Sequence, residues 1–214
     1  VGTAGGAAGI FEAASIDPGA VRSFYAWGAQ FETGSVATSY IPTTTASVTR
    51  NADVISLSGA VSGCIGQTEG TVYAEVDYRN FASITMLSLQ TASIASGAVR
   101  IETTSNGTQL RCQVRDVSGT AIMDQTITSP SLSTGINKIA VGYSSAASGL
   151  CIALNGTVVY TGTAATSFTI NPDRIYLGAR EVSSAAQLFF NNRIRSVAIY
   201  TTRLTNAQLA ALTT

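Results

Sequence analysis

The 214-residue sequence predicts an all-β protein, an antiparallel sandwich that ends in a short helix. About twelve short runs rich in β-branched and aromatic residues follow one another along the chain. Residues that favour turns separate these runs. No helical stretch of about ten residues lies between them, which argues against parallel βαβ units.

The elements are predicted in order as follows. Residues 1–9 are rich in glycine and alanine and predict an arm or linker. The aromatic-rich run 21–31 predicts a strand. The segment 32–50 predicts an extended connector, because it is rich in Thr and Ser and because Pro42 keeps the preceding residue out of the helical region. The strands expected after it are Asp53–Leu57, Gly70–Arg79, Ile84–Gln90, Ala98–Thr104, Gln109–Val114, Ala121–Thr126, Asn137–Tyr143, Leu150–Tyr160 (a hairpin), Ser167–Ile170, Arg174–Ala179, Gln187–Phe190 and Arg193–Tyr200.

Two local signals are specific. Asn155-Gly156 lies between two apolar β-branched runs, which is the preferred sequence of a two-residue hairpin turn. Thr205 and Gln208 have the spacing of a capping box and predict the start of the C-terminal helix. Leucines at 204, 209 and 212 are expected to pack that helix against the sandwich.

Composition narrows the function classes. The chain has 12 basic and 12 acidic side chains and no histidine. Histidine-based catalytic triads and histidine-ligated zinc sites are therefore excluded, and a non-enzymatic protein is expected. Zero net charge gives no electrostatic attraction to nucleic acid or to an anionic membrane. No apolar run reaches the roughly 18–20 residues that span a bilayer.

The three cysteines also argue against a fold that is held together by disulfides or by a metal ion. Cys64, Cys112 and Cys151 form no CxxC pair, and an odd number leaves a disulfide framework incomplete. We expect them to be small buried hydrophobic residues. No cofactor is expected.

Residues 186–212, AQLFFNNRIRSVAIYTTRLTNAQLAAL, resemble the closing strand and helix of the concanavalin A-like, laminin-G-like sandwich family. The match departs from the family at Asn191-Asn192, where a glycine-containing turn is usual. The resemblance implies a jelly-roll sandwich. The matching residues are Phe190, Ile194, Val197, Ile199, Tyr200, Arg203, Leu204, Thr205, Gln208, Leu209 and Leu212.

Residues 24–57 are similar to the WGAQ…TSYIPT module of bacteriophage tail-fibre and virion proteins. In such proteins this module leads into a laminin-G-like sandwich. The matching residues are Trp27, Gly28, Ala29, Gln30, Glu32, Gly34, Thr38, Ser39, Tyr40, Ile41, Pro42, Thr43, Thr49, Arg50, Ala52 and Asp53.

Together the resemblances imply two regions, an arm and connector at 1–50 and a laminin-G-like sandwich at 51–214. They imply a virion module that binds host-surface carbohydrate, as a domain of a tail fibre or tailspike. The alternative is a structural virion protein, such as a capsid decoration or head-fibre protein, that binds neighbouring virion subunits. Either would act on the particle surface as a homo-oligomer, with a trimer favoured. Trp27 is expected to seal the N-terminal segment against the sandwich.

One strand carries the candidate ligand-binding residues Tyr73, Glu75, Asp77 and Arg79. They alternate with Val72, Ala74, Val76 and Tyr78 and are therefore expected on one polar face. Concanavalin A-like glycoside hydrolases carry alternating carboxylates on a strand, but this chain has Arg79 and Asn80 where a third carboxylate would stand. We therefore expect Asp77 to pair with Arg79 rather than to act in catalysis.

Calcium is the cation that related loops can hold, because several oxygen atoms converge there. Asp173, Glu181 and Asn155 are possible contributors in this chain. They form no dense acidic cluster in the sequence, so no metal site is expected.

Overall fold

The computed structural model describes residues 30–31, 40–49, 54–59, 62–79, 81–92, 96–104, 106–182 and 185–214. The chain divides into two compact units, Val1–Asn51 and Ala52–Thr214. The predicted arm at 1–9 and Trp27 lie outside the described residues, as does all but the end of the strand predicted at 21–31. Residues 40–49 have no regular secondary structure. No helix within the described ranges is long and apolar enough to cross a membrane.

The second unit contains two antiparallel sheets. The strands of the six-stranded sheet are β1 (Ile55–Ser58), β3 (Thr85–Gln90), β4 (Ala98–Thr103), β5 (Leu110–Arg115), β6 (Ala121–Ile127) and β10 (Arg174–Leu177), in the order β1-β10-β3-β4-β5-β6. The strands of the five-stranded sheet are β2 (Glu69–Tyr78), β7 (Gly135–Ser144), β8 (Leu150–Leu154), β9 (Thr157–Gly162) and β13 (Arg193–Tyr200), in the order β13-β2-β7-β8-β9.

Three smaller elements complete the unit. A 3-10 turn, Ser62–Cys64, precedes β2. A two-stranded hairpin, β11 (Arg180–Val182) and β12 (Ala185–Gln187), follows β10. Helix α1 (Asn206–Leu212) follows β13 near the C-terminus. The all-β antiparallel architecture with a short C-terminal helix is therefore confirmed.

The main core lies between the two sheets. Its members alternate along the strands with residues that face outward, as the two-residue period of a strand requires. Burial of each such aliphatic side chain stabilises the fold by about 1.5–3 kcal/mol. Representative buried members are Leu89, Ile101 and Val114 from the six-stranded sheet, and Val76, Val141 and Ile152 from the five-stranded sheet.

A β-bulge in β13 sets which of its residues reach the core. Ile194 pairs with Val76 and Ser196 pairs with Glu75, so Arg195 is the extra residue. Because of this insertion, Ile194 and Val197 both pack against the core although they are three residues apart. Arg195 is turned to the outer surface of the sheet, where it is exposed.

Helix α1 covers part of the outer face of the five-stranded sheet. Leu209 is fully buried there in a second apolar cluster with Tyr73 and Cys151, and Leu204 and Leu212 pack against it. The predicted capping box is present, because Thr205 accepts a hydrogen bond from the Gln208 backbone and Gln208 accepts one from the Thr205 backbone. The Asn155-Gly156 hairpin is confirmed too, with positive φ at both residues.

Three details of the sequence-based prediction are wrong. Residues 167–170 form no strand; Phe168 and Ile170 are buried, but the Ile170 N–H donates to Gln67 O in a loop. The run 187–190 is not a strand beyond its first residue, because Leu188 has a φ of 54° and leaves the extended region. Among the cysteines, Cys112 and Cys151 are buried as expected, but Cys64 is exposed.

The capping box yields a stability prediction. Thr205→Ala removes the side-chain acceptor at the start of α1 and should lower the free energy of unfolding by about 0.5–2 kcal/mol. Urea unfolding followed by circular dichroism measures this loss. The matched control is Thr202→Ala, an exposed threonine in the turn before the helix. Equal stability of the two variants would contradict the prediction.

Candidate functional site

The outer face of the six-stranded sheet is polar and charged along three neighbouring strands. In β4, Arg100 and Glu102 alternate with the core residues Val99 and Ile101. The pairing places Arg100 opposite Gln113 and Glu102 opposite Arg111, so β5 presents its polar residues on the same face. In β6, Asp124 lies opposite Gln113 and Thr126 lies opposite Arg111.

The β11–β12 hairpin contacts this face and buries part of it. The backbone carbonyl of Glu181 accepts a hydrogen bond of 3.1 Å from Gln90 Nε2 on β3. Arg180 reaches β4 and donates to Glu102 at 2.8 Å. Arg100 is only 3% exposed and Glu102 only 2% exposed, although both point away from the core.

A network of ion pairs joins the hairpin to β4, β5 and β6. Arg111 donates to both carboxylate oxygens of Asp124, each at 2.8 Å, and to Glu102 Oε1 at 3.4 Å. Glu102 Oε2 accepts from Arg180, so this carboxylate is shared between two guanidinium groups. Asp124 Oδ2 also lies 3.9 Å from an Arg115 nitrogen.

The neutral side chain of Gln113 extends the network to the buried Arg100. Gln113 donates from Nε2 to Asp124 Oδ2 at 2.8 Å, and its Oε1 accepts from Arg100 Nη1 at 3.2 Å. The Gln113 amide thus links an anion to a cation, and its orientation is determined by both contacts.

These contacts shift the pKa values of several groups. The hydrogen bonds from Arg111 hold the pKa of Asp124 below its usual value of 3.8. The same hydrogen bonds raise the pKa of Arg111. Burial lowers the pKa of Arg100 to about 10; Glu102 opposes this shift, and repulsion from Arg180 and Arg115 adds to it.

A cavity of about 340 Å³, which we call the β4–β6 groove, opens over the network. Its charged residues are Glu102, Arg111, Asp124 and Arg180, and the hydroxyl-bearing residues Ser83, Thr104 and Thr126 also line it. Thr103 lines it too, but its hydroxyl donates to Ala82 O and accepts from the Ile84 N–H. Leu188 also lines the groove, and its φ lies in the left-handed region. This conformation costs a residue other than glycine about 1–3 kcal/mol, and residues that adopt it cluster at functional sites.

A second polar cluster forms around Glu181, the residue next to Arg180 in β11. Glu181 Oε2 accepts from Arg174 Nη1 and from the Tyr176 hydroxyl, both at 2.5 Å. The hydrogen bond from Tyr176, then that from Arg174, lowers the pKa of Glu181. This cluster fixes the hairpin on β10 and thereby positions Arg180 at the groove.

The residues predicted from the sequence lie on the opposite side of the sandwich. Tyr73, Glu75 and Asp77 occupy the outer face of β2 in the five-stranded sheet, and Arg79 follows directly after that strand. The expected pair of Asp77 with Arg79 is confirmed, at 2.7 Å. Tyr73 is buried beneath α1, and burial raises its pKa to about 12. Its hydroxyl donates to Glu75, which also pairs with Arg195 at 2.8 Å.

The three possible calcium ligands are not brought together. Arg174 contacts Asp173 at 3.4 Å and Glu181 at 2.5 Å. Asn155 lies in the β8–β9 turn, where its Oδ1 accepts from the Lys138 backbone. Within the described residues there is no group of three or more Cys, Asp or Glu side chains placed to hold a metal ion. The expectation of no cofactor stays a prediction.

Sequence reasoning missed the β4–β6 groove although a signal for it exists. Arg100 and Glu102 are two positions apart, and Arg111 and Arg115 are four positions apart, with apolar residues between the members of each pair. This is the same alternation that singled out β2. The pattern does not reveal that β4 and β5 are neighbours. It also does not reveal that Arg180, 78 residues further along the chain, contacts Glu102.

No protein-family model matches the chain, and no curated protein matches it. Solved structures do. The CBM40 of the Ruminococcus gnavus IT-sialidase, bound to α2,3 sialyllactose, has 16% identity and a TM-score of 0.61, over 75% of this chain and 96% of that chain. A heptameric SAP-like pentraxin from Limulus polyphemus has 13% identity and a TM-score of 0.55, over 69% and 70%.

A larger enzyme matches over a similar share of this chain. The leech intramolecular trans-sialidase has 16% identity and a TM-score of 0.61, and the match covers 76% of this chain but only 26% of that enzyme. At such identities the likeness concerns the fold. The chain therefore has the concanavalin A-like jelly-roll sandwich fold that the resemblance at residues 186–212 implied.

Proposed function

We propose that this chain is a non-enzymatic carbohydrate-binding module and that the β4–β6 groove is its binding site. The observation that carries the proposal is the groove itself, about 340 Å³ in volume, with guanidinium, carboxylate and hydroxyl groups on its walls. Ligand sites combine a concave shape with a few polar groups at fixed positions. The fold neighbours support carbohydrate binding, since the structure of one of them is a complex with sialyllactose.

The ion-pair network favours binding over hydrolysis. A glycoside hydrolase needs one carboxyl group that donates a proton and a second that stays ionised. In the groove the pKa of Asp124 is lowered, so Asp124 is ionised at neutral pH and has no proton to donate. Both oxygens of Glu102 accept hydrogen bonds from guanidinium groups, which leaves neither directed at a glycosidic oxygen.

The biological setting that we propose rests on the resemblance of residues 24–57 to a bacteriophage tail-fibre and virion module. The proposed role is therefore an adhesin domain of a tail fibre or tailspike that binds carbohydrate on the host surface. Repeated copies in a homo-oligomer, with a trimer favoured, would raise the overall strength of weak individual sites.

A structural virion role is the second candidate, and strand β1 is the observation that favours it. Ile55 and Leu57 point to the core side of the sheet edge, yet they are 60% and 58% exposed. An apolar edge strand is a common place for another chain to pair. A capsid decoration or head-fibre protein would use such an edge to bind a neighbouring subunit.

The binding site can be tested with two matched arginine variants. Arg111→Ala removes the central guanidinium of the groove, and Arg79→Ala removes an arginine with a similar ion pair on the opposite face. We expect Arg111→Ala to weaken binding to host cells and to extracted host polysaccharide about tenfold or more, as loss of hydrogen bonds from a charged group implies. Arg79→Ala should bind like the parent chain.

Fluorescently labelled protein and competition with free polysaccharide give the measurement. Near-UV circular dichroism and urea unfolding establish that both variants are folded. Loss of binding in Arg79→Ala alone would move the site to the β2 face. Parent protein that is folded and binds no carbohydrate would refute the adhesin proposal.

The network also predicts a pH dependence of stability. The depressed pKa of Asp124 means that its contribution is present above pH 3.8 and is lost as the pH falls through the lower folded-state value. Asp124→Asn should therefore reduce the free energy of unfolding by about 0.2–1 kcal/mol at neutral pH. The difference from the parent chain should shrink towards zero near pH ~2.

Urea unfolding at a series of pH values measures this difference. Asp173→Asn serves as a control, because Asp173 is more exposed and its ion pair with Arg174 is longer, at 3.4 Å. A difference between parent and Asp124→Asn that does not vary with pH would contradict the prediction.

The structural alternative has its own test. If β1 is an interface, Leu57→Arg places a charge on the exposed edge and should dissociate the assembly. Light scattering over a range of protein concentrations reports the mass. The control is Val117→Arg, an exposed apolar residue in the β5–β6 turn. An unchanged mass in Leu57→Arg would remove β1 from the interface.

A further inference from the structure

The charges that line the β4–β6 groove balance. Its positive groups are those of Arg111 and Arg180, and its negative groups are those of Glu102 and Asp124. The side chains of Arg111, Asp124 and Arg180 are 36%, 30% and 22% exposed, whereas Glu102 is buried. A ligand in the groove therefore meets cations and anions in equal number.

An anionic ligand would have to compete with the chain's own carboxylates. Arg111 donates from Nε and Nη2 to the two oxygens of Asp124, which is the parallel pair of hydrogen bonds with which an arginine binds a carboxylate. Its Nη1 donates to Glu102, which also accepts from Arg180. An entering anion would displace these contacts and would be repelled by both carboxylates. A cationic ligand would be repelled by both arginines.

A hydroxyl group fits the pair of Arg111 and Asp124 without a change in charge. The bonds described above use three of the five N–H groups of Arg111, and Asp124 Oδ1 accepts one of them. A hydroxyl can accept from the guanidinium and donate to the carboxylate, because it is both a donor and an acceptor. Thr126 is exposed and lies directly opposite Arg111 in the sheet, which adds a hydroxyl at the same place.

Leu188 is an apolar side chain among these polar groups. It lines the groove and is half-buried, yet it belongs to neither apolar cluster of the described residues. Its φ of 54° is unfavourable for leucine. Two backbone hydrogen bonds hold the segment in this conformation, from Thr85 N to Leu188 O at 2.9 Å and from Phe190 N to Gly178 O at 2.8 Å. A strained residue that does not serve the core points to a contact with a ligand.

We infer that the saccharide bound in the β4–β6 groove is uncharged, and that Leu188 packs against the apolar face of its ring. The inference rests on the proposed function and specifies its ligand class. A sugar ring has C–H groups on its faces and hydroxyl groups around its rim. One ring can therefore contact both Leu188 and the pair of Arg111 and Asp124, which line the same cavity of about 340 Å³.

The test compares uncharged with charged polysaccharides on the full 214-residue protein. The uncharged probes are dextran, galactomannan and xyloglucan, and the charged probes are alginate, polysialic acid and the cationic polymer chitosan. Alginate and extracted host polysaccharide are each used in the native form and after their carboxylates have been reduced to alcohols. Biolayer interferometry measures the affinities at low salt and at about 1 M salt, where the Debye length falls to about 3 Å.

We expect the tightest binding to an uncharged chain, with an affinity that changes by less than about twofold between the two salt concentrations. Tighter binding to a charged probe, or to a native acidic chain than to its reduced form, overturns the inference and leaves the proposed function standing. So does a loss of more than about twofold in high salt. A folded protein that binds no probe and no host polysaccharide refutes the proposed function, and the inference with it.

Variants of Leu188 separate a ligand contact from a structural role. Glycine adopts a positive φ without strain, so Leu188→Gly should be at least as stable to urea as Leu188→Ala. Both variants should bind the uncharged chain about tenfold more weakly than the parent, because the apolar contact is lost. Leu188→Met keeps an apolar side chain of similar size and should bind within about twofold of the parent.

The matched control is Ile136→Ala, which shortens an exposed apolar side chain on the outer face of the other sheet. It should bind like the parent chain. Unchanged binding in folded Leu188→Gly and Leu188→Ala, or an equal loss in Ile136→Ala, overturns the inference.

Discussion

Both the core and the β4–β6 groove depend on the side-chain alternation of β4 and β5. Val99 and Ile101 lie in the core, and the residues between them, Arg100 and Glu102, lie on the outer face. A slip of one residue in the pairing of these strands would turn charged groups into the core and expose apolar ones. The burial that drives the sheets together therefore also fixes the register in which Glu102 faces Arg111.

Once that register is set, the ion pairs add rigidity. Arg111 is held by both oxygens of Asp124, and Gln113 links Asp124 to Arg100. Groups that are already held in place lose little conformational freedom when a ligand arrives, so more of the interaction energy appears as affinity. Isolated exposed ion pairs contribute little to stability, so the main effect of this network is to hold its side chains in position.

The features that the sequence predicts correctly are local. The Asn155-Gly156 turn, the Thr205 and Gln208 capping box and the alternation along β2 each depend on residues a few positions apart. The groove depends on contacts between distant segments, of which Arg180 with Glu102 is the clearest. The β11–β12 hairpin was missed because its strands are only three residues long and have no clear apolar alternation.

The same difference between local and overall properties applies to charge. Equal numbers of acidic and basic residues give the whole chain no net attraction to a polyanion. At physiological ionic strength, however, a charge acts over a Debye length of roughly 8–10 Å, which is smaller than a domain of this size. A ligand in the groove therefore responds to the nearby arginines and carboxylates and not to the sum over the chain. Net charge bears on long-range association, whereas local charge determines which small ligand fits.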